Sequence, residues 1–207
     1  MEHTVAKITP SGKVKDRFYI DFSDGSSLTV TINQIADHSI FTGRVFDDEE
    51  YELLEKDSAK ENARGKALRM LGTRPMSRKE ISDTLLQKGI DSLSVEDTAD
   101  WLEKIGAVND EEYAGQIVRH YSAKGYGIGR IRDELYRRGV PKDLWEDALN
   151  QMPETDDTVY HLLLSKLRSD EPTKEEISKA ANALYRRGFS WDEIKRAINR
   201  FETEGQL

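Results

Sequence analysis

The sequence Leu-Tyr-Arg-Arg-Gly occurs twice in this chain, at residues 135–139 and at residues 184–188. Both copies end on a glycine that follows a helical apolar pattern, which is typical of the C-terminal cap of a helix. A third glycine, Gly89, lies 50 residues before Gly139 and also has a leucine, Leu85, four positions earlier. This spacing predicts three repeats of similar length, which is the signature of a repeat architecture.

Each repeat has the length and the apolar periodicity of three helices. The repeats are predicted over about residues 61–106, 109–152 and 156–201. Several helix starts have the spacing of a capping box: Ser77 with Glu80, Thr173 with Glu176 and Ser190 with Glu193. Ser94 with Asp97, and Pro141 at a first helical position, are expected to begin the other third helices. A repeat of this size buries only a narrow core, so neighbouring repeats are expected to stack.

The first residues of the chain predict a small β segment. Apolar and polar residues alternate over 17–22 and again over 28–32, and residues 23–27 between them are typical of a turn. Two or three strands are only marginally stable alone, so their apolar face is expected to pack on the helices that follow. Asp47 with Glu50 then predicts the start of a long helix that reaches Leu71.

Together these patterns predict a mainly α fold of three tandem three-helix repeats that form an elongated array, preceded by a small N-terminal β segment. The expected domains are a β-rich extension (1–46), the long helix with the first repeat (47–107), the second repeat (108–153) and the third repeat (154–207). Trp101, Trp145 and Trp191 occur once per repeat and are expected to pack in the cores, with Trp191 the most exposed.

The composition excludes several classes of protein. The chain has 207 residues, with 31 lysines and arginines against 39 acidic residues, and its net charge is −8. Cysteine is absent, which excludes disulfides, thiolate nucleophiles and cysteine zinc sites. No apolar run approaches the ~18 residues that a membrane span needs, and the start of the chain does not resemble a signal peptide. We therefore expect a cytoplasmic protein that makes no membrane contact.

The sequence offers no catalytic constellation. His3, His38, His120 and His161 are isolated, without a second histidine four positions away. The chain lacks the Gly-x-Ser-x-Gly motif, and its acidic pairs are explained as helix caps. The expectation is a protein that is not an enzyme and that has no catalytic residues, no metal ligands and no cofactor.

A basic stretch runs through the middle of the chain. Residues 113–142 contain seven lysines and arginines against two acidic residues, although the whole chain is acidic. Such a stretch suits an acidic partner or a phosphate backbone. The candidate partner-binding residues belong to this stretch and to its counterpart in the third repeat: Lys124, Tyr126, Arg130, Arg132, Arg137, Arg138, Arg186 and Arg187. Arginines in the last turn of a helix are also explained by the helix dipole alone, so both interpretations stay open here.

The segment Gly125-Tyr126-Gly127-Ile128-Gly129 resembles a phosphate-binding loop only superficially. It follows a helix rather than a strand, and it lacks the Gly-Lys-Ser/Thr ending of such loops. The pattern favours a helix cap followed by a turn that sets the angle between two helices. The middle repeat also lacks a Ser/Thr capping box at this point, so the N–H groups that begin its second helix are candidates to face an anion.

The second repeat carries a series of ordered motifs that resembles a known family. These motifs are Asn109-Asp110-Glu111-Glu112-Tyr113-Ala114, Arg119, Gly125-Tyr126-Gly127, Ile131, Glu134-Leu135 and Gly139-Val140. The first repeat is similar to the opening stretch of the same family through Ala67-Leu68, Leu71, Arg74-Pro75, Ser77, Glu80-Ile81, Leu85, Lys88-Gly89 and Trp101-Leu102. Over about residues 61–201 the chain resembles the RecX family of bacterial recombination regulators, and residues 1–60 resemble the N-terminal extension of its longer members.

The resemblance implies a function as a modulator of RecA. Members of the family bind the RecA nucleoprotein filament along its helical groove and suppress strand exchange, ATP hydrolysis and coprotease activity. The expected partners are therefore the RecA filament and single-stranded DNA, within or apart from that filament. The resemblance supplies no catalytic residues, and we expect the protein to be a monomer.

Two other classes of function stay open. One is a helical repeat module that binds single-stranded nucleic acid directly through the basic stretch, and the other is a scaffold for a different protein. Sequence-specific DNA binding is disfavoured, because the helix that would enter the major groove is expected to begin with acidic residues such as Glu96 and Asp97.

Overall fold

The computed structural model of the protein describes residues 2–12, 15–167 and 171–204. Four strands form one antiparallel sheet in the order β3-β2-β1-β4: β1 (His3–Pro10), β2 (Arg17–Phe22), β3 (Ser27–Thr31) and β4 (Val45–Phe46). The helices of the described residues follow the chain as α1 (Ile32–Asp37), α2 (Asp48–Leu71), α3 (Arg78–Gln87), α4 (Ser92–Lys104), α5 (Asp110–Ala123), α6 (Ile128–Arg137), α7 (Trp145–Leu149), α8 (Asp156–Leu164), α9 (Lys174–Arg186) and α10 (Trp191–Glu204). The prediction of a mainly α fold with tandem three-helix repeats after a small β segment is confirmed.

The predicted hairpin is present as β2 and β3, which pair with Ile20 opposite Leu28. Ile32, expected at the end of the second strand, instead begins α1. The reason is a capping box, in which the Gln34 N–H donates to the Thr31 hydroxyl (3.2 Å) and the Thr31 N–H donates to the Gln34 side chain (3.0 Å). A satisfied helix start at Thr31 therefore ends the strand one residue early.

The sheet packs on the long helix α2 within one compact unit, the N-terminal unit, formed by Met1–Pro75 and Ile81–Ala107. Leu54 of α2 is fully buried in the same core as Ile20 and Val30. Further along α2, the Ser58 hydroxyl and the Asn62 amide donate to the Thr29 carbonyl, at 2.9 and 2.7 Å. The apolar face of the β segment is thus covered by the helix that follows, as expected.

A second compact unit, the C-terminal unit, is formed by Met76–Glu80 and Val108–Leu207. Within it the second and third repeats have separate apolar cores. Ile131 and Leu135 of α6 lie in the first of these cores, and Leu184 of α9 and Ile194 of α10 lie in the second. The four-part domain division given above stays a prediction.

Most of the predicted helix starts are confirmed by their cap hydrogen bonds. The backbone N–H of Glu80 donates to Ser77, that of Glu176 to Thr173, that of Glu193 to Ser190 and that of Glu50 to Asp47, at 2.8–3.3 Å. The prediction for α4 is wrong, because the Ser94 N–H donates to the Asp91 carboxylate (2.9 Å) and the helix begins at Ser92. Pro141 precedes a short 3-10 turn over Lys142–Leu144, and α7 begins only at Trp145.

The contact between the sheet and α2 can be tested with two neighbouring leucines. We expect Leu54→Ala to lower the free energy of unfolding by about 2–5 kcal/mol, because it opens a cavity in the core that the sheet and the helix share. Leu53→Ala is the matched control: its side chain is 56% exposed, and we expect a change within about 0.5 kcal/mol. Urea unfolding followed by circular dichroism measures both, and equal losses would contradict the described packing.

Candidate binding surface of the second and third repeats

The glycine segment before α6 is a backbone joint between the second and third repeats. The Gly127 N–H donates to the Arg187 carbonyl and the Gly129 N–H donates to the Gly188 carbonyl, each at 2.9 Å. A Cβ atom at Gly127 would overlap the Gly188 carbonyl, so this close approach requires glycine. Backbone carbonyls of the third repeat accept the Gly127 and Gly129 N–H groups, so these two are not available to an anion.

The same arrangement occurs one repeat earlier. The Ser77 hydroxyl, just before α3, donates to the Arg138 carbonyl (2.5 Å) at the end of α6. Gly139 lies against the side chain of Lys79, and a Cβ atom at Gly139 would come within 2.8 Å of it. In both joints the start of a second helix meets the carbonyl of the second arginine of Leu-Tyr-Arg-Arg-Gly in the next repeat. The pentapeptide is therefore a packing element between repeats.

The second arginine of each pentapeptide also uses its side chain in the joint. The Arg138 guanidinium donates to the Tyr113 hydroxyl (2.9 Å) and lies 3.8 Å from the Glu80 carboxylate. The Arg187 guanidinium donates to the Gly125 carbonyl (3.1 Å) and lies 5.3 Å from the centre of the half-buried Tyr126 ring. Arg138, Arg187 and Tyr126 therefore hold the repeats together within the C-terminal unit.

The positive charge of Arg137 neutralises the buried carboxylate of Glu134. The side chain of Glu134 is 2% exposed, and it accepts hydrogen bonds from the Arg137 guanidinium (2.9 Å from Nε) and from the Tyr121 hydroxyl (2.6 Å). The hydrogen bond from Arg137 lowers the pKa of Glu134 against the opposing effect of burial, and the Tyr121 hydroxyl lowers it further. Arg137 is 66% exposed, but its charge is matched by Glu134.

The other basic candidates have no such internal partner. Lys124, Arg130, Arg132 and Arg186 are exposed, and none of them forms an ion pair within residues 2–12, 15–167 and 171–204. Arg186 holds the same place in the third repeat as Arg137 holds in the second. Ala183 stands three positions before Arg186, where Glu134 stands before Arg137. Without that carboxylate, Arg186 stays available to a partner.

Two of these arginines meet in one open groove, which we call the Arg130–Arg186 groove. It has a volume of about 480 Å³, and the other lining residues are Ile128, Gly129, Asp133, Tyr185, Gly188, Phe189 and Ser190. The Tyr185 ring, 53% exposed, stacks on the Trp191 ring, 45% exposed, with 5.1 Å between their centres and 18° between their planes. Lys124 and Arg132 do not line this groove.

The stacked pair of Tyr185 and Trp191 was only partly visible in the sequence. The exposure of Trp191 is as expected, but Tyr185 was not singled out. Its position directly after the buried Leu184 is a signal that the tyrosine lies outside the core of the repeat. The groove thus presents two unpaired guanidinium groups beside a flat aromatic surface, and Asp133 is the one carboxylate among its lining residues.

The described part of the chain gives two further results that bear on function. Within those residues, no group of three or more His, Cys, Asp or Glu side chains has the arrangement to hold a metal ion. None of the helices described is long and apolar enough to cross a membrane.

Comparison with known proteins gives three separate matches to one family. Residues 63–102 match the first three-helix domain of RecX, residues 109–149 the second and residues 154–198 the third, and together they cover more than half of the chain. The chain belongs to the RecX family. The family resemblance stated from the sequence motifs is therefore confirmed, and the three matched domains coincide with the three helical repeats.

The RecX relatives extend over most of this chain. The regulatory protein RecX of Clostridium botulinum (strain Eklund 17B / Type B) is 24% identical over 200 residues, which cover 94% of each chain. That of Bacillus subtilis (strain 168) is 28% identical over 207 residues, which cover 97% of this chain and 78% of the relative. A crystal structure of regulatory protein RecX has a TM-score of 0.71 at 20% identity and covers 95% of this chain and 99% of its own. The structural likeness supports the same fold.

The pairing of Arg137 with Glu134 can be tested against its counterpart in the third repeat. We expect Arg137→Ala to lower the melting temperature at pH 7, because the buried carboxylate keeps only the Tyr121 hydroxyl as donor. Arg186→Ala is the matched control, because it removes an arginine from the same position of a helix that has no such carboxylate. Thermal melts followed by circular dichroism should show a larger loss for Arg137→Ala.

The same pair predicts a pH dependence. Because the folded state lowers the pKa of Glu134 from its ordinary value of 4.5, the stabilisation by Arg137 is fully present above that value and is lost as the pH falls through the lowered pKa. The difference in melting temperature between wild type and Arg137→Ala should therefore shrink as the pH is decreased into the acid range. A difference that does not depend on pH would contradict the pairing.

Proposed function

We propose that this RecX family protein binds the RecA nucleoprotein filament and inhibits strand exchange, ATP hydrolysis and coprotease activity. The observation that carries the proposal is the Arg130–Arg186 groove, which is lined by two unpaired arginines and by Tyr185, whose ring stacks on that of Trp191. In this proposal the protein acts as a cytoplasmic monomer, by binding alone and without a catalytic step.

The chemistry of the groove suits a protein partner. Arginine, tyrosine and tryptophan dominate the energetically important positions of protein interfaces. The guanidinium groups of Arg130 and Arg186 can each pair with a carboxylate in a bidentate geometry. Tyr185 and Trp191 offer a rigid surface that loses little conformational entropy when it is covered. We infer that an acidic surface of RecA lies against this groove.

Inhibition requires that binding favours one state of the filament over another. A ligand changes an equilibrium only by the difference between its affinities for the two states. We propose that the protein binds a filament state that cannot exchange strands, by bridging adjacent RecA protomers or by covering the groove through which DNA enters.

Single-stranded DNA in the same groove is the second candidate. The stacked rings of Tyr185 and Trp191 support it, because a base that stacks on an aromatic side chain gains about 1–3 kcal/mol. Arg130 and Arg186 would then contact backbone phosphates.

The test is the double reversal Arg130→Glu with Arg186→Glu. We expect inhibition of the ATPase of DNA-bound RecA and of strand exchange to fall at least tenfold, because both unpaired cations of the groove become anions. The control Lys124→Glu with Arg132→Glu makes the same change of charge outside the groove and should inhibit as wild type does. Both doubles should keep the melting temperature within a few degrees, because the four side chains are exposed and unpaired in the described residues.

Binding of bare single-stranded DNA separates the two candidates. If the groove binds RecA side chains, the affinity for bare DNA is the same in wild type and in the Arg130→Glu, Arg186→Glu double. If it binds phosphates, the double loses affinity for bare DNA, and the slope of log affinity against log salt flattens by roughly 1.4 for two contacts. Unaltered inhibition by a folded double would contradict both candidates.

A further inference from the structure

A second basic cleft lies in the N-terminal unit, and none of its lining residues is a candidate named from the sequence. It is lined by Arg17 of β2 and by Lys66 and Arg69 of α2, together with Ser11, Tyr19, Thr29, Ala59, Asn62, Gly89, Ile90 and Asp91. Its volume is about 490 Å³, which lies in the range of about 300–1,000 Å³ that small-molecule sites occupy.

Arg17 is held in this cleft by specific contacts with α2. One guanidinium nitrogen donates to the Glu61 carbonyl (2.9 Å), and another donates to the Asn62 side-chain oxygen. Asn62 is fixed in turn by its bond to the Thr29 carbonyl. A Cβ atom at Gly65 would overlap the guanidinium, so the glycine provides the space that Arg17 occupies. The packing of the sheet on α2 therefore fixes the position of the Arg17 guanidinium.

Three positively charged side chains, Arg17, Lys66 and Arg69, line the cleft. Burial and the nearby Arg69 lower the pKa of the Arg17 guanidinium, while Glu61 partly offsets them. Lys66 and Arg69 form no ion pair in the part of the chain that the structure describes. Asp91, the acidic lining residue, accepts the Ser94 N–H as the cap of α4. The three cations outnumber the two carboxylates near them, Glu61 and the capping Asp91, and they produce a positive potential that an anion would relieve.

An exposed aromatic ring lies beside these cations. Tyr19 is 44% exposed, and its ring stacks on no other ring of the described residues. Clusters of cations next to an open aromatic face are the common design of sites for single-stranded nucleic acid, because the cations bind phosphates and any base can stack on the ring.

We propose that this cleft binds a short segment of a single-stranded nucleic acid, with neighbouring phosphates on Arg17, Lys66 and Arg69 and one base on the Tyr19 ring. An acidic peptide would satisfy the cations but would leave Tyr19 unused, so the ring favours the nucleic acid. The inference does not rest on RecA binding, and it concerns a different surface from the Arg130–Arg186 groove.

Photo-crosslinking of the full chain to a thymidine-rich oligonucleotide that carries 5-bromodeoxyuridine tests the site, with the crosslinked residue located by mass spectrometry. We expect a crosslink at Tyr19 in wild type and at least a fivefold loss of that crosslink in Lys66→Gln with Arg69→Gln. The control Lys104→Gln with Lys195→Gln changes two exposed lysines elsewhere and keeps the same net charge as the test variant. Circular dichroism melts establish that both variants are folded.

Competition with unlabelled compounds identifies the class of ligand that the cleft binds. Unlabelled oligo(dT) should suppress the Tyr19 crosslink at a much lower nucleotide concentration than thymidine monophosphate or inorganic phosphate does. Equal competition by the mononucleotide would assign the cleft to a free nucleotide, and equal competition by polyglutamate would assign it to an acidic peptide; both results would overturn the proposal. A folded Lys66→Gln, Arg69→Gln variant with an undiminished Tyr19 crosslink, or a wild type without that crosslink, would overturn it as well.

Discussion

Two short contacts between successive repeats, each accepted by a backbone carbonyl, determine what the C-terminal unit of this protein can present to a partner. In each contact the carbonyl of the second arginine of Leu-Tyr-Arg-Arg-Gly accepts a hydrogen bond from the start of a second helix, from Ser77 in one case and from Gly127 in the other. Helix starts carry N–H groups without intrahelical partners, and the α6 joint satisfies two of them with the next repeat. Because the second and third repeats have separate cores, the α6 contact connects two cores that would otherwise be independent.

The joints also decide which cations remain available. Arg138 and Arg187 contribute both backbone and side chain to them, and Arg137 is paired with the buried Glu134. Arg186 has no such partner, because Ala183 occupies the position in the third repeat that Glu134 occupies in the second. The two pentapeptides are identical in sequence, yet their first arginines differ in chemistry: one stabilises a carboxylate, and the other lines the Arg130–Arg186 groove.

The repeat period, the hairpin and most of the caps could be predicted from the sequence, because each depends on residues close together in the chain. The start of α4 could not be decided in this way, since Asp91 and Ser94 are both good capping residues and only three positions apart. The pairing of Arg138 depends on Tyr113 and Glu80, which are distant in sequence, so its role required the structure. The basic cleft was missed for the same reason, because Arg17 lies far from Lys66 and Arg69 along the chain.

Amide hydrogen exchange at the start of α6, measured by NMR on the intact protein, tests the joint most directly. The Gly127 and Gly129 amides donate to carbonyls of the third repeat, whereas the Ile128 amide between them has no hydrogen-bond acceptor in the described residues. We expect slow exchange at Gly127 and Gly129 and fast exchange at Ile128, a pattern that an isolated helix start does not produce because its first amides all lack intrahelical acceptors. Fast exchange at all three amides would contradict the account, because the second and third repeats would then not be joined through their backbones.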